Sequence, residues 1–155
     1  MKALSMGGLG AAMLLVSLTS QAQLKPEEQI EFRQAGYTFM AWNMGKIKAQ
    51  VVEGSAPYNQ AQVAAAAQAI AAIANSGMGA LYSPETTREQ FGKQTRLKAA
   101  FFDNLDEAGK IGKNFVEAAN QLASVAATGD QAATKAAFGK VGQSCKSCHD
   151  KFRAE

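Results

Sequence analysis

Apolar residues recur every three or four positions through most of the chain, and no stretch alternates with the period of two expected of a half-buried strand. The first such stretch runs from Leu24 to Val52. Ile30, Arg33, Tyr37, Met40, Met44, Ile47 and Val51 follow one another at alternating spacings of three and four, which puts all seven on one helix face. Pro26 suits an opening turn, and Glu27, Glu28 and Glu31 complement the positive end of the helix dipole. Arg33 is the one charged member of this inward stripe, so it requires a partner or an edge position.

Glu53-Gly54-Ser55-Ala56-Pro57 ends the first helix. Asn59 can cap a second, alanine-rich one that carries Val63, Ala66, Ile70 and Ile73 inward. From Asn75 to about Thr95 the chain holds Gly77, Gly79, Pro84 and Gly92. That is a long loop for a compact domain, of the kind that often helps build a site. A third helix is predicted over Leu97 to Ala127, with Phe102, Leu105, Gly109, Gly112, Phe115 or Val116, Ala119, Leu122 and Val125 on its apolar face. Gly109 and Gly112 lower helix propensity and mark a bend or a close approach. Thr128-Gly129-Asp130 is a stop and restart. The fourth helix runs from about Gln131 to Phe152, with Ala133, Ala137, Val141, Cys145, Cys148 and Phe152 facing one way. The expected fold is all-α, an antiparallel four-helix bundle.

Composition agrees. Alanine accounts for 31 of 155 residues and proline for 3, so helix formers dominate and breakers are rare. Residues 1–22 read as an export signal: Lys2, an apolar run centred on Leu9 to Val16, then Ser20 and Ala22 at the small-residue cleavage positions. The run is shorter than a bilayer span requires, which argues against a membrane anchor. Cleavage leaves 155 − 22 = 133 residues, 23–155, enough for one hydrophobic core. The expected location is the periplasm. The formal charge is +3, with no block of like charge, which is not the footprint of a nucleic-acid binder.

Cys145-Lys146-Ser147-Cys148-His149 holds both cysteines and the single histidine of the chain. C-x-x-C-H is the pattern of c-type haem attachment: two thiols one helical turn apart add to the haem vinyl groups, and the adjacent imidazole becomes the fifth iron ligand. A structural disulfide leaves the histidine unexplained. A zinc centre is one ligand short. A thioredoxin-like dithiol sits at a helix start in a βαβ unit, whereas this motif lies at the end of a fourth helix. With one histidine, bis-histidine coordination is impossible. Six residues follow it, none a methionine, so an axial methionine must come from upstream: Met40, Met44 or Met78. Met40 and Met44 sit at helical spacing with Tyr37 and Ile47, the pattern of core packing.

From the opening KPEEQIEFRQAG to the closing GQSCKSCHDKFR, with the SAPYNQAQV turn and the AAFGKVG approach to the motif, the chain resembles cytochrome c′, the class II c-type cytochromes. The resemblance implies one covalent haem c in a four-helix bundle, five-coordinate and high-spin. It implies thioethers at Cys145 and Cys148, His149 as the metal ligand, and a homodimer packed through the first two helices. Arg153 matches the family's basic residue beside the proximal imidazole, and Arg33, followed by Gln34, the arginine near a haem propionate. Tyr37 falls at the distal position. Met78, Leu81, Phe102 and Phe115 are expected to line the pocket. Phe152 departs from the tyrosine common at its position, so no hydroxyl is expected there.

The function expected on these grounds is binding of small diatomic gases, nitric oxide and carbon monoxide, behind a distal tyrosine, for scavenging of nitric oxide, electron transfer or both. The redox partner is not readable. The alternative is a low-spin electron carrier with Met40 or Met44 as sixth ligand. No enzyme is expected: a second histidine for distal acid–base work is missing, and carboxylates such as Glu27 and Asp103 read as solvated helix surface.

Overall fold

Pro26 opens the first of four long helices, and the Glu28 carboxylate closes its start by accepting the Lys25 N–H at 2.8 Å. A computed structural model describes residues 24–155, so the export signal expected over 1–22 lies outside the described residues. The long helices are α1 (Pro26–Ile47), α2 (Gln60–Ala74), α3 (Leu105–Thr128) and α4 (Gln131–Phe152). Asn59 caps α2 as expected, its side chain accepting the Gln62 N–H at 3.0 Å. Gly129 ends α3 with φ 82°, where an added Cβ would also lie 2.9 Å from the Gln60 side chain. Asp130 then caps α4 by accepting the Ala133 N–H at 2.9 Å.

Successive helices pack on one another, α1 on α2, α2 on α3 and α3 on α4, which gives the antiparallel bundle. Ile47, Val63, Ile70, Leu122 and Val141 are fully buried where they meet. Each large side chain so placed contributes about 1.5–3 kcal/mol. Buried alanines at 66, 67, 119, 126 and 137 let the backbones approach. Met40 lies in this core and Met44 packs against it.

Four expectations change. The first helix does reach Val52, but Lys48–Val52 is a π-helical turn, with the Glu53 N–H on the Lys48 carbonyl at 3.0 Å. The third helix does not start at Leu97. Leu97 instead forms an antiparallel bridge with Arg153, flanked by Lys98 N–H to the Phe152 carbonyl at 2.9 Å and Ala154 N–H to the Arg96 carbonyl at 2.7 Å. Only one turn, Ala100–Asp103, precedes a break at Asn104 (φ −133°, ψ 43°). Tertiary hydrogen bonds here outweigh a continuous helical pattern. Finally, α3 runs unbroken through Gly109 and Gly112, and a Cβ at either would meet open space, so they mark neither bend nor close approach. Leu105, expected on the apolar face, is exposed.

The segment 75–95 is a loop of short turns, Met78–Leu81, Pro84–Thr86, Arg88–Phe91 and Gly92–Gln94, anchored to α1. It overlies the end of the bundle where α4 finishes.

Candidate functional site

Helical spacing puts Cys145 and Cys148 one turn apart on α4, with His149 next along. No disulfide joins the two cysteines, both are half-buried, and Cys145 packs against the core. Burial pushes both thiols above their ordinary pKa, so they are neutral at neutral pH. His149 is exposed on the outer side of the turn, and Arg153 Nη1 lies 3.3 Å from its Nδ1. Desolvation, then Arg153, then Arg96 hold the imidazole below its usual pKa, against the pull of Asp150. The ring is therefore neutral at neutral pH, the form that ligates a metal. Arg96, which sequence reasoning did not single out, also donates from Nε to the Ala154 carbonyl at 2.8 Å.

The Leu97–Arg153 bridge fixes the backbone just beyond His149, and an ion pair from Lys151 to Glu107 ties the same turn to α3. Phe152 is buried and offers no hydroxyl.

Arg33 and Tyr37, one turn apart on α1, face the loop. The Arg33 guanidinium is buried without a carboxylate partner among the described residues. It donates from Nη1 to the Leu81 carbonyl at 2.8 Å and to Thr86 Oγ1 at 3.0 Å, and from Nη2 to Thr95 Oγ1 at 3.0 Å. These loop atoms, none of them readable from spacing, receive the donors of the inward charge. Burial lowers its pKa, while Tyr82 and Tyr37 oppose the shift.

Tyr37 is the one member of the inward stripe that stays open, 41% exposed. Its hydroxyl meets that of Tyr82 at 2.8 Å. Burial raises its pKa. Tyr82 stacks on Phe101, with centroids 4.9 Å apart and planes at 15°. Phe101 in turn meets Phe102 and Phe152 edge-on at 5.1 and 5.5 Å. Tyr82 and Phe101 are thus the rings that sequence reasoning missed; Phe102, which it named, supports Phe101 from behind.

The remaining expected residues separate. Leu81 contributes the carbonyl that Arg33 holds. Met78 lies against α1, where a Cβ at Gly36 would come within 3.2 Å of its sulfur. Phe115 packs on the core. Gln34 faces outward and donates to the Gln94 carbonyl at 2.7 Å, tying α1 to the loop.

This donor set fits a haem. Two neutral thiols one turn apart beside a neutral imidazole suit attachment and ligation, and the aromatic rings opposite suit a flat apolar group. Arg33 is a buried cation able to face a carboxylate. Among the described residues no three His, Cys, Asp or Glu side chains converge as metal ligands, so a zinc centre built from side chains alone has no ligand set.

Comparison with known proteins agrees. The family described as cytochrome c′ matches residues 28–153. The cytochrome c′ of Allochromatium vinosum is 60% identical over 144 residues, 93% of this chain and 92% of that protein. A solved cytochrome c′ described as having an unusual ligand-controlled dimer dissociation is 61% identical, covers 86% of this chain and 100% of its own, and superposes with a TM-score of 0.80. Variants of the Alcaligenes xylosoxidans cytochrome c′ have been solved with nitric oxide (31% identity, 84% of this chain and 98% of that one, TM-score 0.72) and with carbon monoxide (30%, 84% and 98%, 0.73). With the motif on the last helix of the bundle, these matches lead to one conclusion: the chain belongs to the cytochrome c′ family of haem proteins.

Proposed function

We propose that this protein is exported to the periplasm, carries one haem c joined covalently through Cys145 and Cys148, and binds nitric oxide and carbon monoxide at a site guarded by Tyr37. The bound haem supplies an iron with one coordination position open to a diatomic ligand. His149 would hold the iron from α4, with Arg153 beside the imidazole. Arg33, a buried cation, would face a propionate. Tyr37 would cover the open position from α1, so that a diatomic gas would have to move its ring aside, and water, which finds few partners beside aromatic walls, would gain little by entering.

The observation that carries this reading is the Tyr37 phenol bonded to Tyr82, whose ring stacks on Phe101, which in turn meets Phe152 on the motif's own helix. The family relatives that hold nitric oxide and carbon monoxide support the choice of ligand. The alternative, a low-spin carrier using Met40 or Met44, has less support, because Met40 is buried in the core and Met44 packs against it.

The same helix favours a homodimer. Phe32, Phe39 and Trp42 form an exposed aromatic stripe two residues out of phase with the inward one, on the outer side of α1. Because Tyr37 and the stripe share α1, displacement of the phenol strains the pairing. The related structure with ligand-controlled dissociation supports this coupling. The protein then serves to scavenge nitric oxide, to transfer electrons, or both, and it is not an enzyme.

The deciding experiment is the absorption and magnetic spectrum of the purified protein, oxidised and then reduced with carbon monoxide. A high-spin ferric signal and a carbon monoxide adduct are expected. A low-spin ferric spectrum with methionine ligation overturns the reading.

A further inference from the structure

Among the described residues the Tyr37 hydroxyl has one partner, Tyr82, at 2.8 Å. Tyr82 is held by several further contacts. Its ring stacks on Phe101, which is itself braced by Phe102 and Phe152. The Arg33 guanidinium lies over the ring, 4.6 Å from its centroid. Arg33 also holds the carbonyl of Leu81, the residue before Tyr82, and its own position is set by Thr86 and Thr95. The pair therefore joins a phenol with several further contacts to one whose hydroxyl has a single partner among the described residues.

We infer that Tyr82 is a positioning residue of the gas-binding site: by hydrogen-bonding Tyr37 it sets how readily a diatomic ligand displaces the distal ring. This rests on the reading that Tyr37 guards the open position. A ligand that pushes Tyr37 aside breaks the hydroxyl–hydroxyl bond in a site partly shielded from water. That loss opposes binding, and it falls on entry of the ligand more than on its escape. Tyr82 lies in the long loop, outside the motif and outside α1, so one loop residue adjusts selectivity for the gas without altering the ligand set.

The test is a double-mutant cycle on the haem-loaded protein, with carbon monoxide as the probe. Tyr82→Phe keeps the ring that stacks on Phe101 and removes only the hydroxyl. It is expected to raise affinity of the ferrous protein for carbon monoxide about fivefold, the usual worth of one such bond, mainly through faster association. Tyr37→Phe should give the same gain, and the Tyr37→Phe/Tyr82→Phe double variant no more than either single one. In gas-free protein, Tyr82→Phe should also change the tyrosine hydrogen-bond marker in the ultraviolet Raman spectrum. An unchanged affinity in Tyr82→Phe, or an equal change in the Tyr37→Phe background, overturns the inference, since a merely structural hydroxyl acts the same in both. Tyr37→Ala separates the two failures. If it tightens carbon monoxide binding while Tyr82→Phe does not, only the role of Tyr82 falls; if it has no effect, the guarding role of Tyr37 falls too.

Discussion

Arg153 Nη1 stands 3.3 Å from His149 Nδ1, one helical turn further along the chain. A guanidinium carries donors only, so it cannot accept the proton that Nδ1 bears when the other ring nitrogen holds a metal. The imidazole therefore receives no electron-donating hydrogen bond from this neighbour, and a positive charge sits beside it. Arg153→Ala removes that charge, and the reduction potential should fall by on the order of tens of millivolts, because the oxidised form is relieved of repulsion. Potentiometric titration checks the sign; a rise contradicts the assignment.

Arg33 should be a stability residue as well as a site residue. Its replacement by alanine removes donors from the Leu81 carbonyl and from the Thr86 and Thr95 hydroxyls, which among the described residues keep only the Ser83 backbone and the Leu97 N–H as partners. The expected cost is about 3 kcal/mol in urea unfolding. Arg33→Lys should restore little of it, since one ammonium cannot span acceptors arranged for a planar fork.

Trp42 is 57% exposed on the outer side of α1, so if the proposed dimer pairs there, Trp42→Glu should leave the helical content intact and weaken association in sedimentation relative to the parent. Carbon monoxide should shift the ferrous parent towards monomer in the same experiment. An unchanged association constant would remove the link between ligand and pairing.

Alkaline stability follows from the tyrosine pair. Burial raises the pKa of both Tyr37 and Tyr82 above the ordinary value of about 10. Above that pH the unfolded chain sheds phenolic protons that the folded chain keeps, so rising pH favours unfolding. Stability from these groups is fully present below about pH 10 and is lost above it. Urea unfolding across this range should show a shallower decline in Tyr82→Phe, by up to about 1.4 kcal/mol per pH unit.

What the sequence revealed depends on how local the signal is. The bundle was legible because each helix declares itself through its own periodicity and caps, as Asn59 and Asp130 do. The motif was legible because its chemistry needs three residues within one turn. The partners of Arg33 and Tyr37 were not, since they lie between 45 and 62 positions away in a loop without periodicity. The late start of α3 escaped for a related reason: nothing within 96–104 announces that Leu97 belongs beside Arg153. Phe102 was named in place of Phe101 because a helical register was assumed across a segment that breaks at Asn104.

The short pairing of 96–98 with 152–154 also bears on the order of events during biogenesis. It joins segments more than 50 positions apart, so it closes only after the intervening chain has been gathered in. Closure therefore comes late in folding, and it ties the last turn of α4 to the segment ahead of α3.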